Sequence, residues 1–233
     1  MALCILESPQ GKQSLVALAN QLVALRNAKK KPQKHLYTGS PEDMHMAINL
    51  FLQKIRSSFP FVFLTLFDGE GVTTKEEGEW GDNLQNYEPQ RAVWLALHSH
   101  IIDNMLFARQ QSKEVAGHSY ALFKFQMVIT VAHEICHMLT NFLTDADRPH
   151  TPPGLKVAGY GNRMTGESGR WWEVQMFGGL VEFYENQRDP LGARQAGVPY
   201  LMTNGNPKSP ARQLSTNYVL DFVNGSTLFI PPT

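Results

Sequence analysis

Residues 131–139 read VAHEICHML, and this stretch decides the prediction of the fold. Two histidines, His133 and His137, lie four positions apart, and Glu134 directly follows the first of them. Residues i and i+4 share one face of an α-helix, so the two imidazoles can reach one metal ion at about 2.0–2.1 Å. Glu134 is rotated to the side of this pair, where its carboxylate can contact a metal-bound water and act as general base. The pattern therefore predicts a catalytic zinc site on a helix.

The segment around the motif predicts one long helix over about 118–143, which is apolar around most of its circumference. Its polar residues form a single stripe, which consists of Gln126, Thr130, His133, Glu134, His137, Thr140 and Asn141. A surface helix shows the reverse proportions. Buried polar groups without partners cost a few kcal/mol each, so the stripe predicts a polar cleft in front of it. The alternative is a chance match of three polar residues, and the buried surroundings argue against it.

Catalytic zinc takes three protein ligands and a water, so a third ligand is needed. A glycine-rich loop precedes a second predicted helix over about 170–187, and Glu173 lies in the middle of its apolar face. A buried carboxylate requires a cation, which is either zinc or Arg170 one turn earlier. Glu173 is therefore the preferred third ligand, and Glu167 in the loop is the alternative. The glutamate that does not bind the metal is available to hold the second ring nitrogen of a histidine.

These features resemble the zincin metallopeptidases, and within them the gluzincin group. In that group a helix with His-Glu-x-x-His is followed by a helix that supplies a glutamate ligand. His133, Glu134 and His137 match the motif residue for residue. Residues 176–186, MFGGLVEFYEN, also resemble the stretch after the glutamate ligand in thermolysin-like enzymes, although in direct register Trp171 takes the place of that glutamate.

The resemblance implies an α+β fold of the zincin type. A small mixed or antiparallel sheet would pack on the active-site helix, and the C-terminal part would be largely helical. The resemblance also implies Zn²⁺ as the cofactor, with Glu134 taking a proton from the bound water. A nearby donor would stabilise the oxyanion. The candidate donors are Tyr160, Tyr184, His150 and Arg170.

The predicted function is that of a zinc-dependent, metallopeptidase-like hydrolase that cleaves a peptide or a small amide-like substrate. One alternative is an intracellular zinc enzyme that acts on a small-molecule metabolite with the same scaffold. Another is a non-catalytic metal-binding protein. Glu134 argues against the last alternative, because a purely structural site has no use for a base beside an open coordination position.

The chain is predicted to form one domain without repeats or a clear linker. Helices and strands fill about 1–117, the two site helices occupy about 118–188, and an irregular tail follows over 189–233. The apolar, β-rich run at 61–68 predicts a buried strand, and residues 92–102 predict a second strand.

Composition narrows the predicted partners and location. Lys plus Arg and Asp plus Glu number 21 each, so the formal charge is zero and neither a nucleic acid nor a membrane is predicted as partner. Two cysteines make no disulfide framework, which favours a reducing compartment. The N-terminus lacks the basic start and apolar run of a secretory signal, so a cytoplasmic location is expected, with a trimmed secreted protein as the alternative. The sequence leaves the oligomeric state open.

Overall fold

The computed structural model describes residues 1–28, 35–76, 83–111, 113, 117–144, 151–161, 164–203 and 210–227. Within these ranges the chain is a mixed α+β structure with two three-stranded sheets. The helices are α1 (Ala2–Glu7), α2 (Pro9–Asn27), α3 (Met44–Ser57), α4 (Pro89–Ala92), α5 (Ser99–Gln110), α6 (Ser119–Leu143), α7 (Ser168–Phe177) and α8 (Thr216–Val223). The strands are β1 (Phe61–Thr65), β2 (Gly71–Lys75), β3 (Val93–His98), β4 (Gly179–Tyr184), β5 (Val198–Thr203) and β6 (Ala211–Gln213). The predicted α+β class is confirmed.

Helix α6 is the centre of the core. Helices α1, α2, α5, α7 and α8 and strand β2 all pack against it. A helix that is apolar around most of its circumference needs neighbours on most sides, and these elements supply them. The prediction of one long, buried helix over about 118–143 is therefore confirmed. None of the helices in the described ranges combines the length and apolarity that crossing a lipid bilayer requires.

The first sheet has the strand order β1-β3-β2, with β1 parallel and β2 antiparallel to β3. Its edge strand β2 packs on α6. The Thr73 hydroxyl donates a hydrogen bond to the backbone oxygen of Glu134 at 3.1 Å. This contact joins the sheet to the helix that carries the histidine motif.

Strand β1 is exposed, although its apolar sequence predicted a buried strand. All five of its residues are exposed, with Phe61 at 57% and Phe63 at 52%. The strand lies at an edge of its sheet, so β3 is its only strand neighbour within the described sheet. An apolar, β-rich run indicates a strand, but it does not show whether another layer covers that strand.

The predicted strand over 92–102 is also too long. Strand β3 ends at His98, and α5 begins at the next residue. Ile101 and Met105, one helical turn apart, pack on the same small apolar cluster. Their spacing fits a helix better than a strand, because i and i+4 share a helical face.

The second site helix is shorter than predicted, since α7 ends at Phe177 and not near residue 187. Gly178 has φ +74° and caps the helix in the left-handed conformation, which glycine adopts without steric cost. The following residues form β4, which pairs antiparallel with β5. The prediction of a helix to about residue 187 assigns the apolar residues after Gly178 to one helical face. In the strand, successive side chains point to opposite faces of the sheet.

The predictions of an irregular tail and of a largely helical C-terminal part are wrong for the described residues of 189–233, which are 189–203 and 210–227. Strands β5 and β6 join β4 in a second, antiparallel sheet. Helix α8 follows, and its Phe222 ring lies 4.8 Å from the Phe125 ring of α6. These strands are short, and their pairing is a tertiary contact that periodicity within one segment does not reveal.

Candidate metal centre

Three potential metal-ligand atoms converge between α6 and the start of α7. The Nε2 atoms of His133 and His137 are 3.3 Å apart. Glu167 Oε2 lies 3.3 Å from Nε2 of His137 and 3.6 Å from Nε2 of His133. Ligand atoms bound to one tetrahedral ion at about 2.0–2.1 Å are separated by about 3.3–3.4 Å. The triangle therefore has the size of one face of a tetrahedral zinc site, and the described ranges hold this one group of His, Cys, Asp or Glu residues able to bind a metal.

The backbone around Glu167 is fixed by a preceding turn. The Glu167 amide donates to the Leu155 carbonyl at 2.7 Å, and the Gly166 amide donates to the Thr151 carbonyl at 2.9 Å. A Cβ on Gly166 would overlap with the backbone carbonyls of Pro152 and Leu155, so only glycine fits there. The loop thus brings the Glu167 carboxylate to the histidine pair on a rigid backbone.

Each histidine also has a partner for its outer ring nitrogen. His133 Nδ1 lies 2.7 Å from Glu173 Oε1, and His137 Nδ1 lies 3.1 Å from Ser168 Oγ. A neutral imidazole that binds a metal through Nε2 carries its proton on Nδ1 and donates it outward. Glu173 and Ser168 are placed to accept these protons. Both belong to α7, so one helix orients both imidazoles.

Glu173, the preferred third ligand, does not belong to the ligand triangle. Its side chain is 1% exposed, and its carboxylate accepts hydrogen bonds from Arg170 Nη1 at 3.2 Å and from the Val181 amide at 3.3 Å. Its contact with His133 is to Nδ1, the nitrogen that faces away from the triangle. The alternative, Glu167, occupies the third position. The apolar face of α7 correctly marked Glu173 as a buried carboxylate in need of a cation, but burial alone does not identify its partner.

Glu134 lines a cleft of about 500 Å³ in front of His133. The side chain is 5% exposed, and no donor among the described residues is within hydrogen-bonding distance of its carboxylate. Strand β2 approaches closely at this point. A Cβ on Gly71 would lie 2.7 Å from Thr130 Cγ2 and 3.1 Å from Glu134 Cγ. The close packing holds Glu134 beside the triangle and leaves its carboxylate available to a water in the cleft.

Of the four candidate oxyanion donors, Tyr160 and Arg170 line the cleft. The Tyr160 hydroxyl donates to Glu182 Oε1 at 2.7 Å, and the Arg170 guanidinium lies over the Tyr160 ring at 4.8 Å. Burial and the Glu182 contact raise the pKa of Tyr160 to about 12, so the hydroxyl stays protonated near neutral pH. Burial opposes the charge of Arg170, but Glu173 and Glu182 outweigh it and raise the pKa of the guanidinium. Both groups are therefore hydrogen-bond donors.

The other two candidate donors do not join this group. Tyr184 is 48% exposed, and its hydroxyl contacts Met202 Sδ at 3.4 Å. It is absent from the described residues that line the cleft, so the structure does not bring it together with Tyr160 and Arg170 there. The position of Tyr184 follows from the alternation of side chains along β4 and from the pairing of β4 with β5. A helix over the same residues would place its side chain elsewhere. His150 lies outside the described residues.

The electrostatics of the triangle favour a positive charge. Burial lowers the pKa of His133, but hydrogen bonds to Glu167 and Glu173 outweigh it and raise this pKa to about 10. Burial opposes ionisation of Glu167, yet its contacts with both histidines hold the pKa of this carboxyl well below its usual range. Without a metal the site therefore holds a proton where a cation would bind.

Two residues at the start of α7 contribute to the site but were not predicted from the sequence. Ser168 orients His137, and it also accepts a hydrogen bond from Thr151 Oγ1 at 3.3 Å. Gly169 touches the His133 ring so closely that a Cβ would overlap with three ring atoms. No sequence signal indicated the role of Gly169, because the predicted helix begins at about residue 170 and places this glycine in the glycine-rich loop before it.

The chain matches no protein-family model, no curated protein and no solved structure. Similarity therefore assigns neither a family nor an activity. The features that bear on function are the ligand triangle, the outer contacts of the two histidines and the cleft beside Glu134.

We predict that Gly169→Ala abolishes tight metal binding. Alanine favours helices, so the substitution would ordinarily stabilise α7, but its Cβ displaces the His133 ring from the triangle. Zinc content after dialysis, measured by elemental analysis, should fall at least tenfold. Gln175→Ala, at an exposed position of the same helix, is the control and should retain zinc. Full zinc occupancy in Gly169→Ala would contradict the close contact.

We also predict that zinc binding near neutral pH releases a proton from the site. The pKa of metal-free His133 is raised to about 10, whereas the metal binds only the neutral imidazole. Zinc affinity should therefore rise with pH until this pKa is passed. Calorimetric titrations in buffers of different ionisation enthalpy measure the proton count. Glu173→Gln removes one contact that raises this pKa, so the pH above which the proton release declines should move down. An unchanged pH profile of the release would contradict the assignment.

Proposed function

We propose that the protein is a zinc-dependent hydrolase of the zincin type that cleaves peptide or amide bonds. His133, His137 and Glu167 would bind the zinc, and Glu134 would serve as general base. The observation that carries this proposal is the triangle of three ligand atoms, separated by 3.3–3.6 Å, together with the buried Glu134 carboxylate beside it, which has no partner among the described residues. The packing of a small mixed sheet on the motif helix also fits the zincin arrangement.

The ligand set favours a catalytic zinc over a structural one. Structural zinc sites are closed by four protein ligands, often cysteines, whereas catalytic sites have three protein ligands and an open position. Two imidazoles and one carboxylate are a known catalytic combination. When bound, the zinc would lower the pKa of its water to about 7 and polarise the substrate carbonyl.

The residues of the chain would then have separate tasks. Glu134 would take a proton from the attacking water and later deliver it to the leaving amine. Arg170, which has N–H groups beyond those bound to Glu173 and Glu182, would donate a hydrogen bond to the carbonyl oxygen as it becomes negative. Tyr160 would do so by turning its single hydroxyl proton from Glu182 to the substrate. Glu173 and Ser168 would keep the two imidazoles oriented, which is the usual task of groups that contact metal ligands.

The shape of the surface favours an extended substrate. A second cavity of about 350 Å³ lies on the His137 side of the triangle, and Glu167 lines both cavities. Strand β2 contributes Gly71 to the first cavity and Thr73 to the second. Because β2 is an edge strand of the described sheet, a peptide can add to it as a further strand across the zinc position. A small metabolite would need only one of the two cavities.

A reducing, cytoplasmic setting belongs to the same proposal. Cys4 and Cys136 are both free thiols, and Cys136, which lies within the histidine motif, is buried in the core. Proteins of oxidising compartments commonly pair such residues. The two unpaired cysteines therefore support a compartment in which thiols stay reduced.

Removing the base should separate metal binding from turnover. We expect purified protein to contain about one zinc per chain, and Glu134→Gln to keep it while hydrolysis of a peptide library falls by about 10²–10⁴-fold. Glu185→Gln, at an exposed position, is the matched control and should leave both unchanged. Full activity in Glu134→Gln would contradict the proposal. Full zinc occupancy without cleavage of any library peptide would favour the small-molecule enzyme.

The two glutamates of the centre should differ in their effect on the metal. Glu167→Gln removes a ligand and should prevent zinc retention. Glu173→Gln removes only the acceptor for His133 Nδ1, so affinity should fall about 10–100-fold. Competition with a chromogenic chelator measures both constants. A larger loss from Glu173→Gln than from Glu167→Gln would contradict the proposed ligand set.

A further inference from the structure

We infer that the cleft recognises a positively charged group of the substrate, an ammonium or a guanidinium, at Glu70 and Gln126. This inference rests on the proposed function and adds a substrate class to it. The proposed site lies in the same cleft as Glu134, on the side of the N-terminal half of α6. Neither residue belongs to the ligand triangle.

The Glu70 carboxylate has no cation in direct contact with it among the described residues, although Arg170 lies near enough to interact with it electrostatically. Its two oxygens accept hydrogen bonds from Gln126 Nε2 and from Thr130 Oγ1, each at 2.7 Å. Both donors are neutral, and no salt bridge to Glu70 forms among the described residues. An ionised carboxylate has about four acceptor sites, so about two remain open. The Glu70 carbonyl accepts from the His98 amide at 3.0 Å, which fixes the residue to the sheet.

Gln126 supplies an independent observation. Its side chain lines the cleft and is 6% exposed, and its Oε1 has no hydrogen-bond partner among the described residues. A buried acceptor without a partner is unfavourable, because it has lost its hydrogen bonds to water and gained none in return. Oε1 belongs to the same amide group as the nitrogen bound to Glu70, so the free acceptor lies close to the carboxylate. An acceptor beside a carboxylate fits a ligand with several N–H donors and a positive charge.

The remaining charges of the cleft also favour a positively charged ligand. Five glutamates and one arginine are among the described residues that line it. Arg170 is engaged by Glu173 at 3.2 Å and by Glu182 at 3.1 Å. Five carboxylates against one guanidinium and one divalent ion leave two negative charges in excess. Such a cleft attracts cationic groups and repels acidic ones.

The position along α6 indicates which part of a substrate would carry the charge. Thr130 and Gln126 precede His133 by three and seven residues, so their contacts lie about 5–10 Å from it along the helix. An extended peptide advances about 3.3 Å per residue. The charged group therefore belongs to a residue close to the scissile bond, either as a lysine or arginine side chain or as the free amino terminus.

Peptide binding to the zinc-loaded Glu134→Gln protein tests the inference without turnover. The probes are short fluorescent peptides of neutral sequence that carry lysine, methionine or glutamate in turn at each position, with a free or an acetylated amino terminus. We expect the best lysine or free-amine peptide to bind at least tenfold more tightly than its methionine or acetylated counterpart. Added salt should reduce this preference. Acetylation distinguishes the amino terminus from the side chain as the source of the charge.

Adding Glu70→Gln to this protein should abolish the preference and leave zinc content and the affinity for the methionine peptide unchanged. Gln126→Leu is a second variant and should reduce the preference by removing the free acceptor. Glu76→Gln, an exposed carboxylate just after β2, is the matched control and should keep it. A preference that survives Glu70→Gln, or equal binding of all peptides, would overturn the inference. Neither result touches the proposed function, which fails separately if the wild-type protein binds no zinc or cleaves no peptide.

Discussion

The structure of the site depends on the contact between α7 and the His133 ring of α6. Gly169 lets the backbone of α7 touch the ring, and Glu173 binds its outer nitrogen at 2.7 Å. The same helix start places Ser168 against His137 and Glu167 at the third corner of the triangle. One short segment thus supplies a ligand and orients both imidazoles. The candidate metal centre is therefore a property of helix packing, and it requires both helices to be in place.

The bounds and the burial of a single helix could be predicted from the sequence. The relative position of two segments could not. The polar stripe and apolar remainder of α6 were sufficient to predict its bounds and burial, because both follow from one helical period. The apolar face of α7 predicted that Glu173 is buried, which it is at 1% exposure. Choosing between Glu173 and Glu167 required the position of α7 relative to α6. The helix end at Gly178 and the pairing of β4 with β5 depend on tertiary contacts in the same way.

The polar stripe of α6 unites the two proposed binding sites. Its C-terminal part holds the histidine pair, and its N-terminal part holds Glu70 through Gln126 and Thr130. Each part places carboxylates next to buried neutral groups, an arrangement that a nearby cation would stabilise. In the metal-free triangle that cation is the proton of His133, which the contacts with Glu167 and Glu173 hold by raising the pKa of the imidazole. We propose that zinc replaces it there and that the substrate supplies the positive charge at Glu70.

A crystal structure of the zinc-loaded protein, with anomalous data collected on both sides of the zinc absorption edge, would show whether His133, His137 and Glu167 bind the zinc. We predict one strong anomalous peak at about 2.0–2.1 Å from Nε2 of His133, Nε2 of His137 and a carboxylate oxygen of Glu167. Glu173 should remain on His133 Nδ1. A peak bound by Glu173, or the absence of any peak between the two histidines, would contradict the account.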